Sequence, residues 1–172
     1  MSNLDYMSCL VLCGGQGTRL RAVVPGTPKA LAKINDVPFI CYLLKQLLGF
    51  HVREVVLCTG FMGEAIREAV GSRYNDLIVK YSEEKFPLGT GGAIKNALSQ
   101  ISGSTVLVSN GDSYTEYDLD GFVEHHNKVE AKASMILRKQ LDTRRYGVVE
   151  LGKGNRITGF SEKKRSTTNK PG

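Results

Sequence analysis

The stretch Leu10-Val11-Leu12-Cys13-Gly14-Gly15-Gln16-Gly17-Thr18-Arg19-Leu20 decides the reading of this chain. From Cys9 to Cys13 the residues are continuously apolar and partly β-branched, which suits a short central strand of a parallel sheet covered on both faces. The run breaks into glycines at 14, 15 and 17, where the backbone can take positive φ and approach a ligand with no Cβ in the way. Successive N–H groups can then point at phosphate oxygens, and Arg19 adds a planar, permanently charged fork matched to phosphate. The stretch reads as a buried strand emptying into a polyanion-binding loop.

Two other glycine-loop chemistries fail on their own patterns. A dinucleotide fingerprint needs Gly or Ala in its last place, and Gly15-Gln16-Gly17-Thr18-Arg19 is followed by Leu20. A P-loop needs G-x-x-x-x-G-K-[ST], which occurs nowhere in the chain.

The loop resembles the G-G-x-G-T-R-L signature of sugar-phosphate nucleotidylyltransferases, enzymes that join a nucleoside triphosphate to a sugar 1-phosphate. That signature continues with a Pro-Lys pair shortly downstream, and Pro28-Lys29 supplies it. The resemblance implies that Gly14, Gly15, Gly17, Thr18 and Arg19 hold the nucleotide, and that Lys29 neutralises charge as pyrophosphate leaves.

At 172 residues the chain is about one domain long, enough for one sizeable core. Its 41% hydrophobic and 23% charged residues match the globular average, which excludes disordered and fibrous classes. Of the net charge of +6, four positive charges are Lys163, Lys164, Arg165 and Lys170, leaving +2 over the remainder. The basicity thus belongs to a tail rather than to a stripe interleaved with aromatics, so no nucleic-acid partner is expected. Cys9, Cys13, Cys41 and Cys58 form no C-x-x-C pair and read as reduced, buried thiols. No Lys or Arg precedes Arg19 and no long apolar run occurs, so neither a signal peptide nor a membrane span is expected, and the cytoplasm follows by default.

Beyond the loop, strand-like and helix-like segments alternate. Ile40, Leu43, Leu44, Leu47 and Leu48 recur at helical spacing before Gly49, Glu54 to Thr59 reads as a strand, and Met62 to Val70 as a helix ending at Gly71. Leu77 to Tyr81 is a third strand, Gly89-Thr90-Gly91-Gly92 opens a helix, and Thr105 to Val108 is a fourth strand stopping at Asn110-Gly111-Asp112. After a helix from about Leu119, Lys132 to Arg138, Gly147 to Leu151 and Ile157 to Phe160 read as strands. The expected fold class is α/β, a Rossmann-like doubly wound and mostly parallel sheet. It forms one nucleotidyltransferase domain over residues 1–162, incomplete at its C-terminal end, with a basic polar tail over 163–172.

In open parallel sheets ligands lie outside the carboxyl ends of the strands, and the glycine loop, the Gly89 segment and Asp112 all follow strands directly. Asp112 is a hard oxygen donor suited to Mg²⁺ on a nucleotide, and the resemblance assigns it the metal; an aspartate in a turn also bonds its own backbone. Ser82 to Ala93 resembles the L-G-T-G-G-A segment of guanylyltransferases acting on manno-heptose 1-phosphate, which carry a glutamate at the place of Glu84. A carboxylate can accept from the two adjacent N–H donors of guanine, a pair that uracil and thymine lack. Gly89, Thr90, Gly91 and Gly92 are expected against base and ribose.

The resemblance further implies sugar contacts at Asn110, Tyr146, Gly147 and Glu162, and a sugar-phosphate contact at Lys163, although Lys164 stands where many members carry proline. His125 and His126 point about 100° apart on a helix and cannot converge on one ion. The expected reaction is transfer of a nucleotidyl group from GTP to a sugar 1-phosphate, with D-glycero-D-manno-heptose 1-phosphate as acceptor and mannose 1-phosphate or N-acetylmuramate 1-phosphate as alternatives. Members of the family continue to a second acidic metal ligand beyond the point where this chain stops. The alternative from another class is therefore a nucleotide-binding regulatory module or an inactive truncated homologue. An NAD-dependent oxidoreductase domain rests on fold analogy and lacks its fingerprint. Self-association into a homo-oligomer is left open.

Overall fold

The computed structural model describes residues 7–15, 17, 26–140 and 147–161. Its contacts group the chain into two compact units, one running to Ala131 and the other starting at Lys132.

The first unit is built on a five-stranded sheet. Its strands are β1 (Met7–Leu12), β4 (Glu54–Thr59), β5 (Arg73–Tyr74), β6 (Leu77–Glu83) and β7 (Thr105–Asn110), in the spatial order β5-β6-β4-β1-β7. The β6-β4-β1-β7 strands are parallel and β5 is antiparallel at one edge. From β1 the chain winds outward through β4 to β6, then crosses to the other side of β1 for β7. The order therefore reverses beside β1, and it is at such a reversal that a crevice opens at the carboxyl edge of a doubly wound sheet.

Register brings the strand ends level. Leu12 pairs with both Cys58 and Asn110, and Thr59 pairs with Glu83. Each ladder then runs one bond further: Cys13 N–H donates to Cys58 O at 2.8 Å, Gly111 N–H to Leu12 O at 2.9 Å and Glu84 N–H to Thr59 O at 2.8 Å. The residues that leave the sheet, Gly14, Gly60, Glu84 and Asp112, thus depart from one edge.

Alternate strand residues feed two cores, as expected of a sheet covered on both sides. Cys9, Val11, Val55 and Leu57 pack with Ile40, Leu43, Leu44 and Leu47 of α1 (Phe39–Gly49), Ile66 of α2 (Gly63–Val70), and Leu119 and Val123 of α4 (Leu119–Lys128). Leu10, Val56 and Cys58 face the other way, onto Ala93 and Ala97 of α3 (Gly89–Ala97). Asp118 caps α4 by accepting from Gly121 N–H at 3.0 Å.

Between β1 and α1 lie a 3-10 turn at Lys29–Leu31 and a hairpin of β2 (Lys33–Ile34) and β3 (Val37–Pro38). Asn35 and Asp36 make the hairpin turn with φ of 48° and 64°, the left-handed pair that a two-residue connection requires. Tyr42 of α1 donates to Ile34 O at 2.8 Å and clamps the hairpin onto the helix.

The second unit contains an antiparallel hairpin of β8 (Val148–Leu151) and β9 (Ile157–Ser161) joined through a turn at Lys153–Asn155, with Gly154 at φ 69°. The strand expected over Lys132 to Arg138 is not formed. No ladder partner holds that segment among the described residues, and Met135, Ile136 and Leu137 remain exposed. An apolar run is only half of a strand; backbone pairing is the other half.

Candidate active site

At the carboxyl edge, where the strand order reverses, the first unit opens a cavity of about 800 Å³, within the range of small-molecule sites. Its lining joins three separated parts of the chain: Cys13, Gly14, Gly15 and Gly17 after β1; Glu84, Pro87, Gly89 and Thr90 around the start of α3; and Asn110, Gly111 and Asp112 after β7. Lys29 and Ala30 close a further side.

Close backbone approach explains several glycines. A Cβ on Gly14 would meet Glu84 Oε1 at 3.3 Å and Gly60 N at 3.5 Å, and one on Gly60 would meet Gly14 O at 3.1 Å. The loop after β1 is thus pressed against the loop after β4, tightly on the Gly60 side, where the added Cβ would crowd backbone, and at ordinary contact distance on the Gly14 side. Gly17 takes φ +56° and faces Lys29 Cβ, so the glycine loop and the Pro28-Lys29 pair meet in space as well as in sequence.

The charged groups are arranged around that loop. Lys29 Nζ donates to Asp112 Oδ2 at 2.6 Å, both side chains being half-exposed, and Ser113 Oγ donates to Asp112 Oδ1 at 3.1 Å. Half-buried Glu84 accepts from Leu88 N–H at 3.0 Å through Oε2, which tethers the segment leading into α3. The two thiols in the cavity wall are inert. Burial pushes Cys13 up to about 12, with Cys58 and Asp112 adding to the shift, and burial with Glu84 pushes Cys58 up to about 11. Neither forms a thiolate near neutral pH, so neither is a nucleophile.

Of the residues singled out in the sequence, Gly14, Gly15, Gly17, Lys29, Glu84, Gly89, Thr90, Asn110 and Asp112 line one cavity. Gly91 and Gly92 stand in the first turn of α3 outside the described lining; a Cβ on Gly92 would lie 2.6 Å from Leu88 Cβ, so the turn packs closely there. Gly147 belongs to the second unit, where its Cα faces the Phe160 ring. Thr18, Arg19, Tyr146, Glu162 and Lys163 lie outside the described residues. Ala93, the last residue of the L-G-T-G-G-A segment, also lines the cavity. Gly60, packed against Gly14, carries no sequence motif that would single it out. His125 is exposed and His126 half-buried on α4.

Among the described residues no three His, Cys, Asp or Glu side chains stand together as a metal-binding group. The donor chemistry nonetheless fits Mg²⁺ arriving on a ligand, because that ion keeps several waters and takes one or two carboxylates plus substrate phosphates. Asp112 offers such a carboxylate, and the ammonium now on its Oδ2 shows that the position accepts a cation.

A family model described as "Nucleotidyl transferase" matches residues 8–169. The chain belongs to the nucleotidyl transferase family. Among its relatives is the D-glycero-alpha-D-manno-heptose 1-phosphate guanylyltransferase of Aneurinibacillus thermoaerophilus, 37% identical over 157 residues, which cover 91% of this chain and 68% of the relative. The protein of the same name from Campylobacter jejuni is 35% identical over 91% of this chain and 69% of its own length. A crystal structure of HddC from Yersinia pseudotuberculosis complexed with GMP-PN superposes with a TM-score of 0.73 at 30% identity, covering 92% of this chain and 70% of that one. In this nucleotidyl transferase the described residues that line the cavity belong to the first unit, and no helix among the described residues is long and apolar enough to cross a membrane.

Proposed function

We propose that this nucleotidyl transferase moves GMP from GTP to D-glycero-D-manno-heptose 1-phosphate, releasing pyrophosphate and forming a GDP-heptose. The observation that carries the reading is the convergence of a glycine loop, Lys29, Asp112 and the glycine-opened start of α3 on one cavity. Anion-binding backbone, a cation and a hard carboxylate together suit a metal-bound nucleoside triphosphate. The similarity to two heptose 1-phosphate guanylyltransferases supports guanine as the base and heptose as the sugar.

In this reading an oxygen of the sugar phosphate attacks the α-phosphorus of GTP in line. The bond from that phosphorus to the bridging oxygen breaks, and pyrophosphate leaves with the electron pair. The loop N–H groups of Gly14, Gly15 and Gly17, with Thr18 and Arg19, hold the triphosphate, which makes the displacement effectively unimolecular. Lys29 meets the charge that gathers on pyrophosphate and Lys163 that of the acceptor phosphate. Mg²⁺ held by Asp112 would supply further charge neutralisation. The Glu84 carboxylate has acceptor capacity beyond its bond to Leu88 and takes the paired N–H donors of guanine. Asn110, Tyr146, Gly147 and Glu162 are assigned to the sugar.

Pyrophosphate release with Mg²⁺, each of four nucleoside triphosphates and each of three acceptors (heptose, mannose or N-acetylmuramate 1-phosphate) tests this. Turnover confined to GTP with heptose 1-phosphate is expected. Binding of GTP without turnover on any acceptor would replace the enzyme by a nucleotide-binding module, for which a single carboxylate at Asp112 would suffice.

A further inference from the structure

A lysine and a divalent ion compete for the same oxygen at Asp112. Lys29 Nζ sits 2.6 Å from Oδ2, and Oδ1 takes the Ser113 hydroxyl. Among the described residues the other acidic side chain in the cavity lining is Glu84, and its Oε2 is occupied by Leu88 N–H. No group of three ligating side chains surrounds Asp112 among the described residues. A free divalent ion would therefore have to shed tightly held water for one carboxylate, expel an ammonium from it and then lie beside that displaced positive charge. A triphosphate reverses each of these terms. Its oxygens complete the ion's coordination and give the ammonium a second anionic partner.

We infer that Lys29 is an internal cation for Asp112: it occupies the carboxylate in the nucleotide-free protein, excludes a free divalent ion, and passes to the phosphates when a metal–triphosphate complex arrives. Lys29 thereby selects the metal complex of the nucleotide over the separate ion as the species that binds. Beyond its expected role in catalysis, this lysine sets the form of the substrate. The inference rests on the assignment of Asp112 to the metal made under the proposed function.

Mn²⁺ binding to the nucleotide-free protein, followed by the loss of the free-ion electron paramagnetic resonance signal, tests it. Lys29→Met is expected to bind one Mn²⁺ about fivefold more tightly than the wild type, the scale on which a half-exposed ion pair competes. Lys29→Arg, which keeps a cation, should bind as weakly as the wild type. Adding Asp112→Asn to Lys29→Met should remove the gained site. Equal Mn²⁺ affinity in the wild type and Lys29→Met, or a gained site that survives Asp112→Asn, overturns the inference. Calorimetry of GTP with Mg²⁺ on the wild type separates the two levels. With GTP binding intact, a failed Mn²⁺ result sinks only the role of Lys29; with no GTP binding, the nucleotide reading falls and the inference falls with it.

Discussion

At Gly111 one methyl group is too much. A Cβ there would lie 2.6 Å from Cys13 Sγ and 2.9 Å from Leu12 O, the latter being backbone that cannot swing aside. Gly111→Ala should lower stability by about 1–3 kcal/mol, the scale of an overpacked core, read as a lower denaturant midpoint. Gly15 is the contrast, since nothing lies within 4 Å of an added Cβ. Gly15→Ala should therefore leave stability within about 0.5 kcal/mol while weakening GTP binding by calorimetry, because the methyl would stand where phosphate approaches. Glu84→Gln should reduce the preference for GTP over UTP about tenfold, measured as the ratio of their kcat/KM values, since a charged acceptor for two guanine donors is lost. Gly14, Gly15 and Gly17 are legible in the sequence because they cluster after an apolar run. Gly60 is not, because its need for a bare Cα comes from Gly14, which meets it only once β1 and β4 pair.

Among the elements, α1 braces both sides of the Lys29–Asp112 pair. Tyr42 holds the hairpin that follows Lys29, Gln46 Nε2 donates to Thr115 O at 2.7 Å, and the Phe50 ring just past the helix packs on Tyr117 at 5.2 Å between centroids. One helix thus tethers the segments on which the lysine and the aspartate are mounted. Gln46→Ala should cost about 1 kcal/mol of stability and weaken Mg²⁺-dependent GTP binding, with the circular dichroism spectrum unchanged; unaltered binding would show that Asp112 is positioned without α1. α1 and β4 were readable to within a residue of their ends, the one from helical spacing and the other from a continuous apolar run. The two-residue strands β2, β3 and β5 were not, since two residues carry no periodicity and their pairing is conferred by neighbours. The error over Lys132 to Arg138 runs the other way: a run of strand-forming residues forms no strand there, because no described ladder partner pairs with it.

For the molecule as a whole, the doubly covered sheet places three thiols in the core. Burial raises Cys9 and Cys13 to about 12 and Cys58 to about 11, from an ordinary 9.0. A group titrating higher in the folded state contributes its stability fully below the unfolded value and loses it as pH climbs through the folded one. Thermal melts should therefore show the contribution of these thiols intact well below the ordinary value of 9.0, beginning to fall as pH nears it and lost progressively towards about 12. The two faces of the sheet are unequally held. Among the described residues α3 covers the second face through a small core of Leu10, Val56, Cys58, Ala93 and Ala97, assisted by Asn96 bonds to Ser82 Oγ and Glu83 O. Its opening turn is also a wall of the cavity. The helix whose first turn walls the cavity is thus held by the smaller of the two cores, and local opening is how weakly held regions exchange their amide hydrogens with solvent. Bound GTP should slow deuterium uptake along α3 more than along α1, so that occupancy of the cavity is recorded as the firmness of a helix.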